Sequence, residues 1–170
     1  NFNGNKYALA AVEKGASYAV VDENIGADKR LILVDDVLST LQELANYHRN
    51  QLKCPVLAIV GSNGKTTTKE LTAAVLQRKY RLCFTHGNLN NHIGVPLTIL
   101  SAKLDAEFLL IEMGANHQKE IEFLCEIANP DFGVLINIGL AHLEGFGGVE
   151  GVKIGKTELY WFLNKENKTI

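Results

Sequence analysis

Short runs of almost continuous apolar residues recur through most of the chain, and helical patterns lie between them. Four of these runs, Val56–Val60, Leu82–Thr85, Phe108–Glu112 and Gly133–Ile138, have the length of a strand. A strand that is apolar on both faces is typical of a parallel sheet covered by helices on each side. The pattern therefore predicts four strands buried on both faces of one parallel sheet.

Two helical patterns connect these predicted strands. Positions that share one helix face recur at Leu71, Ala74, Val75 and Arg78 in the first pattern, and at Ile121, Leu124, Cys125 and Ala128 in the second. Strands that alternate with helices of this length form βαβ units. We therefore predict an α/β fold of the P-loop type, with a mostly parallel sheet flanked by helices.

A smaller α/β pattern precedes these units. It contains a helix through Tyr7, Ala8, Ala11 and Val12 that ends at Gly15, strand-like runs at Tyr18–Val21 and Leu31–Val34, and a helix through Leu38, Leu41, Ala45, His48 and Leu52. Asp35 or Asp36 is a suitable N-cap for the second helix, which must end before Pro55. We place a boundary here, with residues 1–35 as a small unit and residues 36–170 as the main domain.

The composition is that of an ordinary globular protein. The 170 residues are 46% hydrophobic and 21% charged, with a net charge of −2, which argues against disorder, coiled coil and a nucleic-acid partner. No apolar run approaches the roughly 18 residues of a membrane span. The cysteines Cys54, Cys83 and Cys125 are widely spaced and form no CxxC pair. We expect free thiols and a cytoplasmic location.

Polar and glycine-rich segments lie at the carboxyl ends of all four predicted strands. They are Gly61–Thr67, Thr85–Asn91, Glu112–Asn116 and Asn137–His142. The carboxyl ends of parallel strands share one edge of a sheet, and ligands bind at that edge. The sequence therefore predicts one site built from these four segments. By contrast, Asp131 follows Pro130 before the last strand, and we interpret it as a turn residue.

The first of these segments has the features of a phosphate-binding loop. Its residues are Gly61, Ser62, Asn63, Gly64, Lys65, Thr66 and Thr67. Glycines turn backbone N–H groups inward, and the following helix adds a positive partial charge. Lys65 can reach the β- and γ-phosphates, and Thr66 can ligate Mg²⁺. Ile59 replaces the first glycine of the motif, which leaves a simple βα turn as the less favoured alternative.

Two residues at the same edge are candidate metal ligands. Glu112 ends an apolar strand, where an unpaired carboxylate is costly, and Mg²⁺ prefers one or two carboxylates together with phosphates. The alternative is a solvated strand end. His142 is either a ligand of a second metal or a structural hydrogen-bonding residue, and its spacing favours neither.

The segment from Thr85 to Gly94 is rich in amides. Its candidate ligand-binding residues are Thr85, Asn88, Asn90 and Asn91. Neutral amides suit a polar ligand such as a sugar or a peptide. Asparagines also stabilise turns by themselves, and from the residues alone this second interpretation is slightly favoured.

Four motifs together resemble the Mur ligase family. They are Gly61–Thr67, Gly87–Thr98, Glu112–Ala115 and the segment from Asn137 through Ala141-His142-Leu143-Glu144-Gly145-Phe146-Gly147. Their order and spacing agree with the family over the whole chain. The resemblance is strongest to the members that add D-alanyl-D-alanine to UDP-N-acetylmuramoyl-tripeptide in peptidoglycan precursor synthesis. It implies that residues 1–35 end a uridine-nucleotide-binding domain and that residues 36–170 are a truncated ATP-binding domain.

The resemblance also implies a reaction and its groups. ATP phosphorylates the terminal carboxylate of the tripeptide, and the dipeptide amine attacks the resulting acyl phosphate. Lys65, His142 and Lys156 are the implied catalytic residues. Thr66 and Glu112 hold one Mg²⁺, and His142 serves a second. Lys156, fourteen residues after His142, is the implied carbamylated metal ligand, with Lys153 as its competitor; from the residues alone Lys156 is a surface lysine.

Two other functions compete with this interpretation. A folylpolyglutamate synthase shares the phosphate loop and the acyl-phosphate chemistry, but the segment Asn88–Thr98 and the small leading unit favour a Mur ligase. A non-catalytic ATP-binding module would not need a second metal site. We expect a full-length enzyme that is a monomer, and a 170-residue piece that does not complete the ligation by itself.

Overall fold

The computed structural model describes residues 3–140, 142–166 and 168, so that Ala141 of the last motif and the chain termini lie outside the described residues. The chain divides into two compact units, Asn1–Leu41 and Gln42–Ile170. The division falls within helix α2, Val37–Gln51, six residues later than the boundary placed from the sequence.

The first unit contains the predicted small α/β pattern. A 3-10 turn at Gly4–Tyr7 leads into helix α1, Ala8–Glu13, and strands β1, Ala19–Val21, and β2, Leu31–Leu33, pair in parallel. Gly15 has φ 106°, which a glycine adopts after a helix without strain. Of the two candidate caps of α2, Asp36 is the one used, because its Oδ1 accepts the Ser39 N–H at 2.6 Å.

The second unit is built on a four-stranded parallel sheet. The strands are β3, Val56–Val60; β4, Leu82–Phe84; β5, Phe108–Glu112; and β6, Phe132–Leu135, in the spatial order β4-β5-β3-β6. The central strands β3 and β5 are almost fully buried, as predicted. The prediction of burial on both faces is wrong for β6, where Phe132 and Val134 are about 40% exposed. Gly133 lies against Leu159 and Leu163 on one face of this strand, and Phe132 and Val134 lie on the other face.

Besides the greater part of α2, the described residues of this unit form helices α3, Lys65–Leu76; α4, Gly94–Leu100; α5, Glu120–Ala128; α6, Leu143–Phe146; and α7, Val149–Lys165. The predicted buried stripe of α5 is confirmed. The helix predicted through Leu71, Ala74 and Val75 is present as α3, but Leu71 and Val75 are exposed and the helix buries Lys69 and Ala73. None of the helices in the described ranges is long and apolar enough to cross a membrane.

A buried arginine ties α2 to the beginning of the sheet. Arg49 is 7% exposed and donates to the carbonyl oxygens of Ala128 and Asn129 and to Asp131 Oδ2 at 2.9 Å. The same Asp131 oxygen accepts the Val56 N–H at 2.8 Å. Asp131 is therefore a structural partner of two elements, and its interpretation as a turn residue was incomplete.

Removing this carboxylate is expected to destabilise the sheet. Asp131→Ala removes the carboxylate partner of the buried Arg49 guanidinium, which keeps only carbonyl acceptors, and the acceptor of the Val56 N–H. This loss costs about 2 kcal/mol. The measurement is the free energy of unfolding in urea. Asp105→Ala, which breaks an exposed ion pair with Arg81, is the control and should cost about 0.5 kcal/mol or less. Equal losses in both variants would contradict the structural role of Asp131.

Candidate functional site

The loops that follow the four strands of the second unit converge on one cavity of about 410 Å³. Its lining includes the predicted residues Lys65, Asn88, Asn90, Asn91 and His142, together with His92, Gly114, Ala115, Asn116, Glu120, Phe123 and Leu124. The convergence follows from the parallel sheet, which directs every strand end toward the same edge. The cavity is therefore the candidate site.

The phosphate loop is held in shape by the loop after β6. Asn63 N–H donates to Asn137 Oδ1 at 3.0 Å, and Asn137 Nδ2 donates to the Asn63 carbonyl oxygen at 3.0 Å. The Gly139 N–H donates to Ser62 Oγ at 2.9 Å. Gly64 has φ 78° and directly precedes α3. The N–H groups in the first turn of a helix have no acceptor within the helix and can bind an anion.

Lys65 lies across this loop at the start of α3. Its ammonium donates to the carbonyl oxygens of Gly61 at 2.8 Å and Ser62 at 3.3 Å. Burial lowers the pKa of Lys65 below its ordinary value, and the negative charge of Glu112 acts in the opposite direction. Thr66 and Thr67 follow on the first turn and are exposed. The arrangement presents one ammonium, one hydroxyl and several N–H groups to an anion.

Glu112 is buried at the end of β5, and its two carboxylate oxygens differ in their hydrogen bonding. Its Oε1 accepts from Asn90 Nδ2 at 2.8 Å and from Thr66 Oγ1 at 3.4 Å. Its Oε2 has no hydrogen-bond partner among the described residues, and the Lys69 ammonium lies 3.8 Å away. A buried carboxylate oxygen without a donor is costly, and a divalent cation would satisfy it.

The residues present fit a magnesium ion better than a transition metal. Within the described part of the chain, no three His, Cys, Asp or Glu side chains converge. Mg²⁺ is usually held by one or two carboxylates together with substrate phosphates. Glu112 and the Thr66 hydroxyl, which lie beside a phosphate loop, match that donor set.

Lys156 is buried, so its interpretation as a surface lysine is wrong. It lies on α7 with 1% exposure, donates to the Ala115 carbonyl oxygen at 3.1 Å and lies 4.9 Å from the ring centre of Phe146. Burial, with a contribution from Lys65, lowers the pKa of Lys156 to about 8. The competitor Lys153 is exposed and pairs with Glu150 at 3.0 Å.

The amide segment divides into accessible and structural residues. Thr85 is fully buried and its hydroxyl accepts the Glu112 N–H at 3.0 Å; its contact with a substrate stays a prediction. Asn91 Oδ1 accepts the Gly94 N–H at 2.9 Å at the start of α4. Asn88, Asn90 and Asn91 all line the cavity. His142 also lines it, at the N-cap of α6 with φ 56°.

Two charged residues that pack against the site were not predicted from the sequence. Lys69 on α3 is fully buried beside Glu112. Glu158 accepts the N–H groups of Lys119 at 2.6 Å and Glu122 at 3.0 Å, which joins α7 to the start of α5. The spacing of four between Lys65 and Lys69 was the available signal, since residues four apart share a helix face.

The first strand of this parallel sheet is followed by a glycine-rich loop, a lysine and a helix N-terminus. These features define a phosphate-loop nucleotide-binding domain. The model of the Mur ligase middle domain matches residues 59–170. The chain belongs to the Mur ligase family, and the resemblance and the fold class predicted from the sequence are confirmed.

Curated relatives extend this match over nearly the whole chain. Two proteins named UDP-N-acetylmuramoyl-tripeptide–D-alanyl-D-alanine ligase are similar to it. The one from Bacillus subtilis is 40% identical over 161 residues, 93% of this chain and 35% of the relative. The one from Haemophilus influenzae is 41% identical over 174 residues, 99% of this chain and 38% of the relative. The chain thus spans little more than a third of these relatives.

Solved structures show the same relation. MurF from Acinetobacter baumannii superimposes with a TM-score of 0.88 at 37% identity, covering 95% of this chain and 36% of that protein. MurF from Thermotoga maritima in complex with ADP gives a TM-score of 0.84 at 37% identity, covering 93% and 37%.

Proposed function

We propose that the protein containing this chain is an ATP-dependent ligase that joins D-alanyl-D-alanine to UDP-N-acetylmuramoyl-tripeptide in peptidoglycan precursor synthesis. The observation that carries the proposal is the buried Glu112, with its unsatisfied Oε2, beside the phosphate loop. The names of the similar relatives support the substrates, and the ADP complex of the Thermotoga maritima protein supports the nucleotide.

The reaction has two steps with a balanced exchange of groups. A carboxylate oxygen of the tripeptide attacks the γ-phosphorus of ATP and ADP leaves, which gives an acyl phosphate. The dipeptide amine then attacks the acyl carbon, loses a proton and expels inorganic phosphate. Lys65 and the loop N–H groups orient the phosphates and stabilise their charge. Mg²⁺ held by Thr66 and Glu112 would supply further charge neutralisation.

His142 and Lys156 are proposed to serve a second Mg²⁺. A carbamate forms when the neutral lysine amine adds to carbon dioxide and loses a proton, which converts a cation into an anion. The burial of Lys156 against Phe146 supports this role, because burial favours the neutral amine. Lys156 donates to the carbonyl oxygen of Ala115, a residue that lines the same cavity as His142.

The amide segment is proposed to bind the nucleotide-linked tripeptide through Asn88, Asn90 and Asn91. Residues 1–35 are proposed to be the end of a uridine-nucleotide-binding domain.

We place the full-length protein in the cytoplasm as a monomer with small-molecule substrates and no nucleic-acid partner. Because the chain spans little more than a third of its relatives, we expect no ligation by these 170 residues alone.

The start of α4 allows a test of the amide segment. A Cβ at Gly94 would lie 2.4 Å from the Leu89 carbonyl carbon, so that Gly94→Ala must move the backbone between Asn88 and Asn91. We expect the KM for the nucleotide-linked tripeptide to rise roughly 10- to 100-fold, with a much smaller change in the KM for ATP. Leu97→Ala, at an exposed position on the same helix, is the control. Equal rises in both KM values would contradict a local effect.

The proposed function is tested by phosphate release from the full-length protein. The reaction contains ATP, Mg²⁺, UDP-N-acetylmuramoyl-tripeptide and D-alanyl-D-alanine, and each component is omitted in turn. Phosphate release that requires both the nucleotide-linked tripeptide and the dipeptide supports the ligase. Release with a folate and glutamate instead would identify a folylpolyglutamate synthase. ATP binding without release under either condition would leave a nucleotide-binding module.

A further inference from the structure

Lys69 is a fully buried lysine in the second turn of α3. A charged ammonium in the interior is costly unless it is paired and hydrogen-bonded. Three oxygen atoms lie near its Nζ: Glu70 Oε1 at 2.9 Å, the Gly87 carbonyl oxygen at 3.2 Å and Glu112 Oε2 at 3.8 Å.

These contacts link three parts of the site. Lys69 belongs to the helix that follows the phosphate loop, Gly87 directly precedes Asn88 of the amide segment, and Glu112 ends β5. The side chain of Glu70 is 54% exposed, whereas that of Glu112 is 1% exposed. Water screens the pair with Glu70, and the interaction with Glu112 is screened much less. Among the described residues, Lys69 is therefore the cation whose ammonium lies within 4 Å of this carboxylate oxygen.

We propose that Lys69 is a positioning residue that serves as the internal counter-cation of Glu112 and competes with the divalent metal for its Oε2. The inference rests on the proposed function, because it requires Glu112 to be a metal ligand. A cation about 4 Å from the ligating oxygen repels an incoming divalent ion. The protein without nucleotide then binds the metal weakly, and the phosphates of the nucleotide supply the additional negative charge that retains it.

The test measures Mn²⁺ binding to the full-length protein by electron paramagnetic resonance, with and without ADP. Lys69→Met removes the charge and keeps most of the side-chain length, so Mn²⁺ should bind roughly tenfold more tightly without ADP, and ADP should then increase the affinity less. Lys69→Arg keeps the charge and should restore the wild-type values. Lys103→Met, at an exposed position, is the control. Unchanged or weaker Mn²⁺ binding by a folded Lys69→Met protein would overturn the proposal.

A second measurement tests the proposal even if the Lys69→Met protein does not fold. Thermal unfolding is compared for Lys69→Met, Glu112→Gln and the double variant. If the two charges neutralise each other, the double variant loses less stability than the sum of the single losses, and it unfolds cooperatively even if Lys69→Met alone does not. Additive losses, or a double variant that remains unfolded, would overturn the proposal.

The same measurements distinguish this inference from the proposed function. Glu112→Gln should weaken Mn²⁺ binding in the presence of ADP. Equal binding by the wild type and Glu112→Gln would remove Glu112 from the metal site and would overturn both. A loss of Mn²⁺ with Glu112→Gln, without any gain from Lys69→Met, would overturn the role of Lys69 alone.

Discussion

Lys65→Met is expected to lower the rate of ATP-dependent phosphate release by the full-length protein roughly 100- to 1,000-fold. The Lys65 ammonium lies at the phosphate loop, 2.8 Å from the Gly61 carbonyl oxygen. Its positive charge can stabilise the negative charge on the phosphoryl group during transfer. Methionine has a similar length and no charge. The measurement is the kcat for phosphate release at saturating substrates.

Measuring ADP binding shows whether Lys65→Met impairs phosphoryl transfer or nucleotide binding. The loop N–H groups and the α3 N-terminus remain in Lys65→Met, so the Kd for ADP should rise much less than kcat falls. Lys53→Met, at an exposed position outside the site, should match the wild type in both. A variant with nearly normal kcat would remove Lys65 from phosphoryl transfer.

Lys156→Ala is expected to reduce ligation at least about 100-fold. The substitution removes the side chain that the proposed function makes a carbamylated metal ligand. The measurement is product formation at controlled bicarbonate, with short carboxylic acids added as substitutes for the carbamate. Lys153→Ala, on the same helix but exposed and paired with Glu150, should retain wild-type activity and the wild-type response to bicarbonate.

The pH dependence of the wild type has a defined direction. The pKa of Lys156 is lowered to about 8, so the neutral amine that reacts with carbon dioxide increases as the pH rises through 8. About one amine in ten is neutral at pH 7. At a constant low concentration of dissolved carbon dioxide, carbamylation and activity should therefore rise between about pH 7 and pH 9. Activity that is independent of carbon dioxide over this range would contradict carbamylation.

Several features of the fold follow from local sequence alone. The bounds of β3 and β5 agree with the predicted runs Val56–Val60 and Phe108–Glu112, because a strand covered on both faces must be apolar at every position. The phosphate loop is equally local, since its glycines, Lys65 and the following helix are consecutive in the chain. The convergence of the four strand ends follows from parallel pairing, which the alternation of strands and helices already required.

Other features depend on which residues meet in three dimensions. The face that α3 buries contains Lys69 and leaves Leu71 and Val75 exposed, because the packing of the helix against the sheet and the carboxylate of Glu112 decide its rotation. Lys156 is buried because Phe146 and Ala115 cover it.

The α/β class, the phosphate loop and the edge at which the site lies could therefore be predicted from the amino-acid sequence. These properties depend on consecutive residues and on the direction of strands. The three-dimensional packing was needed to show that Thr85 accepts the Glu112 N–H, that one Glu112 oxygen has no donor among the described residues, and that Lys69 lies beside this oxygen. Burial and hydrogen bonding between distant segments set these properties, and sequence spacing does not encode such distances.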